Sequence, residues 1–121
     1  MVDILNILKT DNQLISLIGS AANIYPMETT YTGECIIYEI VPLSDDRITQ
    51  HNRLQIHIIA KTMAKAIDIE KRVKQLILTM ADTPLTTNIL KVILNGGGTL
   101  YDGERQKHHR ILYFEILSRS E

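Results

Sequence analysis

Residues 53–81, RLQIHIIAKTMAKAIDIEKRVKQLILTMA, decide the fold, because the hydrophobic period changes part-way along them. Leu54, Ile56, Ile58 and Ala60 fall on one face of an extended segment, with Gln55, His57 and Lys61 on the other. Ala66, Ile69, Val73, Leu76 and Met80 then recur at spacings of three and four, the stripe of a helix lying on a sheet. Thr62 stands where its hydroxyl can accept an orphan amide proton of the first turn, which predicts an N-cap. Lys65, Asp68, Lys71, Arg72 and Lys74 fill the solvent side. Pro84 cannot continue a helix, so the end is expected near Asp82. The reading is a strand feeding directly into the one long helix of the chain, about residues 62–81.

On the N-terminal side, Val2, Ile4, Leu5 and Leu8 suggest a short amphipathic helix. Asp11 is positioned to cap a further turn in which Leu14, Ile15, Leu17 and Ile18 face inward, and Gly19 marks its stop. These are either two helices or one broken near Thr10–Asp11. Asn23-Ile24-Tyr25-Pro26 reads as a brief extended piece ended by proline, and residues 27–34 as polar and turn-like. Cys35–Val41 is a strand by its β-branched and aromatic content, closed by Pro42. Residues 42–52, PLSDDRITQHN, form either a long hairpin loop whose ends continue the flanking strands or a mobile segment.

Beyond the long helix, residues 83–88 read as a linker. Ile89–Leu94 is a strand interrupted by Asn95–Gly98, and Asp102-Gly103 is a turn signal. His109–Leu117 is apolar on both faces and is expected to be central, or covered on both sides. Consecutive strands with short links argue for an α+β fold, an antiparallel sheet with the long helix and the N-terminal helical segment packed against it. Residues 1–121 read as one domain, with no internal repeat.

The totals narrow the function classes. A chain of 121 residues needs neither disulfide nor metal to build a core. Thirteen basic against fourteen acidic residues give a net charge of -1, so no global field draws nucleic acid or an anionic membrane. The one cysteine, Cys35, lies in an apolar run, as expected of a buried thiol in a reducing compartment. The opening residues do not resemble a signal peptide, and no apolar run approaches the roughly 20 residues of a membrane span. The expectation is a soluble, cytoplasmically made protein.

No set of residues announces chemistry. His108 and His109 are strand neighbours that point to opposite faces, and His51 and His57 have no carboxylate at helical spacing, so no metal centre is expected. Gly96-Gly97-Gly98 lacks the Lys-Ser/Thr and the helix that a phosphate loop requires; a bulge or bend where another backbone approaches closely accounts for it. Asp45-Asp46 lies in a polar loop without the apolar frame that shifts a catalytic pKa. Neither an enzyme nor a cofactor is expected. Arg47 and Arg53 flank the 42–52 loop, while Arg105, Lys107 and Arg110 cluster beside the Asp102-Gly103 turn. They suit acidic surfaces of neighbouring subunits or a DNA backbone, or else a solvated hairpin tip. Five tyrosines and one phenylalanine offer little for base stacking.

The order of features resembles the tail completion, or tail-to-head joining, proteins of long-tailed bacteriophages. The resemblance runs through Leu17-Ile18-Gly19, Ile24-Tyr25-Pro26, Ile36-Ile37-Tyr38, and the strand Leu54–Ala60 leading into the stripe Ala66, Ile69, Val73 and Leu76. It closes on Tyr113-Phe114-Glu115-Ile116. The second strand departs from the pattern: Gly33-Glu34-Cys35 precedes it where a proline is common. The resemblance implies a fold similar to the lambda tail terminator and a structural role. That role is a homo-hexameric ring at the head-proximal end of the tail tube, in the virion, bound to the major tail tube protein and to the head connector and neck proteins. DNA would pass through the lumen without sequence-specific binding, and no membrane would be involved. Arg47, Arg53, Arg105 and Arg110 are the candidate ring or connector contacts, with Tyr101 as an anchor. A head completion or neck ring protein, and a small-molecule-binding α+β domain, are the rival readings.

Overall fold

Alternation and helical period are both realised where the sequence changes period. The structure, a computed structural model, describes residues 2–20, 23–26, 34–78, 85, 89–102 and 107–119. Its elements are α1 (Val2–Thr10), α2 (Asn12–Ile18), β1 (Ile24–Pro26), β2 (Cys35–Asp45), β3 (Thr49–Ala60), α3 (Met63–Ile77), β4 (Ile89–Asp102) and β5 (Lys107–Arg119). The strands form one sheet in the order β1-β2-β3-β5-β4. The fold is α+β, with helices packed against the sheet.

The core lies between one sheet face and the helices. Leu54, Ile56, Ile58 and Ala60 of β3 and Leu112, Phe114 and Ile116 of β5 are buried there, against Ala66, Ile69, Val73 and Ile77 of α3. Ile4 and Leu8 of α1 and Leu14 and Ile18 of α2 join the same cluster. The α3 stripe differs in its last turns from the spacing read in the sequence. Ile77 is buried in place of Leu76, and Glu70 lies on the inward face. Positions 66, 69, 70, 73 and 77 follow the 3.6-residue period more closely. The helix also ends sooner than Pro84 requires, because Leu78 turns extended (φ -69°, ψ 130°) and packs its side chain against the core.

Local caps set the helix starts. Thr62 accepts from the Lys65 amide at 3.1 Å. Asp11 accepts from the Leu14 amide at 2.8 Å, which separates α1 from α2, and Gly19 ends α2 in the left-handed region at φ 91°. Asp11 also clasps α3: Arg72 Nε and Nη2 donate to its two oxygens at 2.8 and 2.6 Å.

The sheet corrects several sequence expectations. It is mixed, since β1 runs parallel to β2, with Ile24 opposite Ile36. The start of β1 is anchored locally: Asn23 Nδ2 donates to the Ile18 carbonyl at the end of α2, at 2.7 Å, and Tyr25 Oη donates back to Asn23 Oδ1. Pro42 does not close β2, which continues to Asp45 with a bulge between Pro42 and Ser44. β1 covers β2 only as far as Tyr38, so Pro42 sits on an edge, where proline is tolerated. Residues 42–52 are therefore the end of a hairpin with a short tip, Asp46–Ile48. Asn95–Gly98 does not interrupt β4 either; one extra residue is taken up as a bulge between Leu94 and Gly97. β5 is central, between β3 and β4, but only one of its faces is fully buried. Asp102 pairs with Lys107, and Gly103 and Arg105 lie outside the described residues, as does the linker 83–88 apart from Leu85.

The Asp11–Arg72 clasp carries a pH signature. The Arg72 hydrogen bonds hold the Asp11 carboxyl below its ordinary 3.8, aided by the Leu14 amide and opposed by burial. A lowered folded-state pKa contributes stability that is complete above the unfolded value and is lost as pH falls through and below it. Asp11→Ala, which removes cap and pair together, is expected to cost about 2–3 kcal/mol at pH 7. Asp11→Asn keeps the cap, and its stability should decline less below pH 4 (roughly the ordinary carboxylate range) than that of the unsubstituted chain. Urea midpoints at pH 7 and pH 3 test this, and identical pH dependence in both proteins would refute it.

Candidate assembly surfaces

Three surfaces stand out once the sheet is placed: the β2–β3 hairpin tip, a cleft between α3 and the glycine bulge of β4, and the sheet face turned away from the core.

The tip is tied by its own aspartates. Asp46 Oδ1 accepts from the amides of Ile48 and Thr49 at 2.9 and 2.7 Å, and Asp45 Oδ1 accepts from the Arg47 amide at 2.8 Å. These backbone hydrogen bonds lower the Asp46 carboxyl pKa, so it is ionised at neutral pH. Arg47 adopts φ 72°, a left-handed conformation uncommon for arginine. Beside it Ile48 is 77% exposed, and Leu43 is also exposed.

The cleft has a volume of about 250 Å³ and is lined by Glu70, Lys74, Leu94, Arg110, Leu112 and the backbone of Gly96–Gly98. Its charges form a chain. Glu70, only 5% exposed, accepts from Arg110 Nε at 3.1 Å and meets Lys74 Nζ at 3.4 Å, while Arg110 Nη1 donates to Thr99 Oγ1 at 2.6 Å. The buried carboxylate is thus compensated by two cations, as a charge withdrawn from water requires. A side chain on Gly97 has no room, since its Cβ would collide with the Ile111 carbonyl oxygen; at Gly98 nothing lies within 4 Å. The glycine run does mark a bulge with a close backbone approach, at Gly97.

The outward sheet face alternates with the core face along each strand. By register it carries Ile37, Glu39 and Val41 of β2, His51, Arg53, Gln55, His57 and Ile59 of β3, and His109, Ile111, Tyr113, Glu115 and Leu117 of β5. Most of these are half-buried. His57 Nε2 and His109 Nδ1 lie 2.6 Å apart, so one imidazole donates to the other. That pair escaped the sequence reading, which compared histidines along the chain; it joins residues on neighbouring strands. Burial, followed by His109, lowers the pKa of His57. Among the described residues no group of three or more His, Cys, Asp or Glu side chains is placed to hold a metal. Cys35 is buried, as expected, and burial pushes its thiol up to about 11.

The candidate contact residues are therefore dispersed. Arg47 is exposed at the tip. Arg53 is half-buried on the outward face, opposite Glu115. Arg110 points to the helix side, where Glu70 and Thr99 engage its guanidinium. Tyr101 pairs by its backbone with His108 near the end of β4, and its side chain, like the whole of Arg105, lies outside the described residues. Glu70 was missed as the partner of Arg110, and Lys74 as the second cation on that carboxylate. A glutamate on the buried stripe of α3 was the available signal.

No helix among the described residues is long and apolar enough to cross a membrane. No family model matches the chain, and no curated protein matches it. Among solved structures it is similar to a chain in the virion of the native gene transfer agent (GTA) particle. The TM-score is 0.71 at 15% identity, over 97% of this chain and 92% of that one. The fold is shared along nearly the whole of both chains.

Two expectations follow from the local geometry. Gly97→Ala should destabilise by about 1–3 kcal/mol through overpacking, and Gly98→Ala should stay within about 0.5 kcal/mol. Equal urea midpoints for the two variants would contradict the bulge geometry. For the histidine pair, a lowered folded-state pKa means that the unfolded chain takes up a proton first as pH falls below 6.5. Stability should therefore drop between pH 7.5 and 5.5, and drop less in His57→Gln. Thermal melts at the two pH values decide it, an unchanged slope in the variant being the adverse result.

Proposed function

We propose that this chain is a structural subunit of a phage-like virion, and that it forms a ring at the head-proximal end of the tail tube. In this reading the ring is a homo-hexamer that ends tail assembly. It binds the major tail tube protein on one side and the head connector on the other, and DNA passes through its lumen. The observation that carries the reading is the fold held in common, across nearly all of both chains, with a component of the gene transfer agent virion. The feature order along the sequence, which resembles tail completion proteins, adds the position within the particle.

The surfaces suit such a role. The outward face is of mixed charge, with Arg53, Lys91, Lys107 and Arg119 beside Glu39 and Glu115 among the described residues. The two clefts described, over the glycine bulge and beside Pro42–Asp45, are open and each about 250 Å³, smaller than a site that encloses a small ligand. We propose an assembly function without catalysis, in which protein surfaces do the work.

A second reading, a neck ring on the capsid side, shares the main observation, because the neighbour is described only as part of a virion. Electron microscopy of lysates lacking this chain separates the two. Filled heads accumulating apart from overlong tails, and joined on adding purified protein, are expected of the tail-end ring. Heads that lose their DNA beside tails of normal length would favour the neck. Intact infectious particles would sink both.

A further inference from the structure

We propose that the β2–β3 hairpin tip of one copy docks into the glycine-floored cleft of a second copy, so that subunits join head to tail. This rests on the ring reading for its biological setting, but its geometry stands apart from it.

Tip and cleft are complementary in charge. Asp45, Asp46 and Arg47 give the tip a net charge of -1, while Glu70, Lys74 and Arg110 give the cleft +1. They are also complementary in polarity. Ile48 is the most exposed large apolar side chain among the described residues, at a hairpin end where polar residues are usual. Leu94, at the cleft wall, is 39% exposed. Joining the two removes both from water, which neither achieves within its own chain.

The same chain cannot make this contact. Thr49, at the tip, lies opposite Arg119, and Gly97, at the cleft, lies opposite Leu112. Seven positions along β5 separate them, roughly 23 Å at strand rise. A contact between two different patches is heterologous, and an open chain of copies keeps one free tip at one end and one free cleft at the other until a ring closes.

One local feature has no explanation inside the monomer. Gly98 has open space where a Cβ would stand and no positive φ, so the fold alone does not demand glycine there. It fits a floor shaped for a contact that arrives from outside.

The experiment is disulfide trapping in the full chain. Ile48→Cys with Leu94→Cys, oxidised at high protein concentration, should give a ladder of covalent oligomers on a non-reducing gel. Either single variant should stop at dimer, because Cys35 is buried. Adding Ile48→Asp protein to Leu94→Asp protein should produce dimers and nothing larger by light scattering, since each retains one intact surface. No ladder, or larger oligomers from the aspartate mixture, overturns the docking. Rings that form normally with Ile48→Asp would overturn it while leaving the virion role standing. A ladder from a chain that proves dispensable for particles would do the reverse.

Discussion

The structure depends on one apolar interface, the seat of α3 on the central strands β3 and β5. Phe114, Ile56 and Ile58 meet Ile69, Val73 and Ile77 there, and α1 and α2 reach the core through the same cluster. Removing apolar surface from water is the largest favourable contribution in a domain of this size, and here it lies almost wholly on one side of the sheet. That asymmetry leaves the opposite face half-buried, with apolar side chains between charged ones.

Polar groups inside this interface are few and paired. Glu70 lies among the apolar residues of α3, where an unpaired carboxylate would be costly; Arg110 from β5 and Lys74 from α3 compensate it. The arginine thereby ties helix to sheet beside the point where β4 bulges. The bulge brings Gly97 against the Ile111 carbonyl and leaves a cleft floored by backbone. At the other end of the sheet the Asp45–Asp46 turn projects an isoleucine into solvent. The two ends thus differ in charge and shape.

How much of this was legible beforehand varies with the range of the interaction. The caps at Asp11 and Thr62 and the stop at Gly19 were readable because each involves atoms three or four residues apart. The site was far less so. Arg110 was picked out by its place beside a turn, yet the structure gives it partners 40 and 11 residues away. His57 and His109 were each weighed against a histidine near in sequence, and their pairing depends on which strands neighbour each other. Pro42 was read as a strand end and the glycine run as an interruption, though its bulge was foreseen; a strand's tolerance for proline depends on whether it lies at an edge, which only the sheet order shows.

The sequence by itself determined the strand-to-helix switch at Ala60–Met63, the helix starts, the α+β class and the strand segments near their cores. These follow from periodicity and local hydrogen bonding, which act within a few residues. Only the tertiary structure decided the order β1-β2-β3-β5-β4, the parallel entry of β1, the early end of α3 at Ile77 and the meeting of Glu70 with Arg110. Those features are set by packing between segments far apart in the chain, where register and burial outweigh local preference.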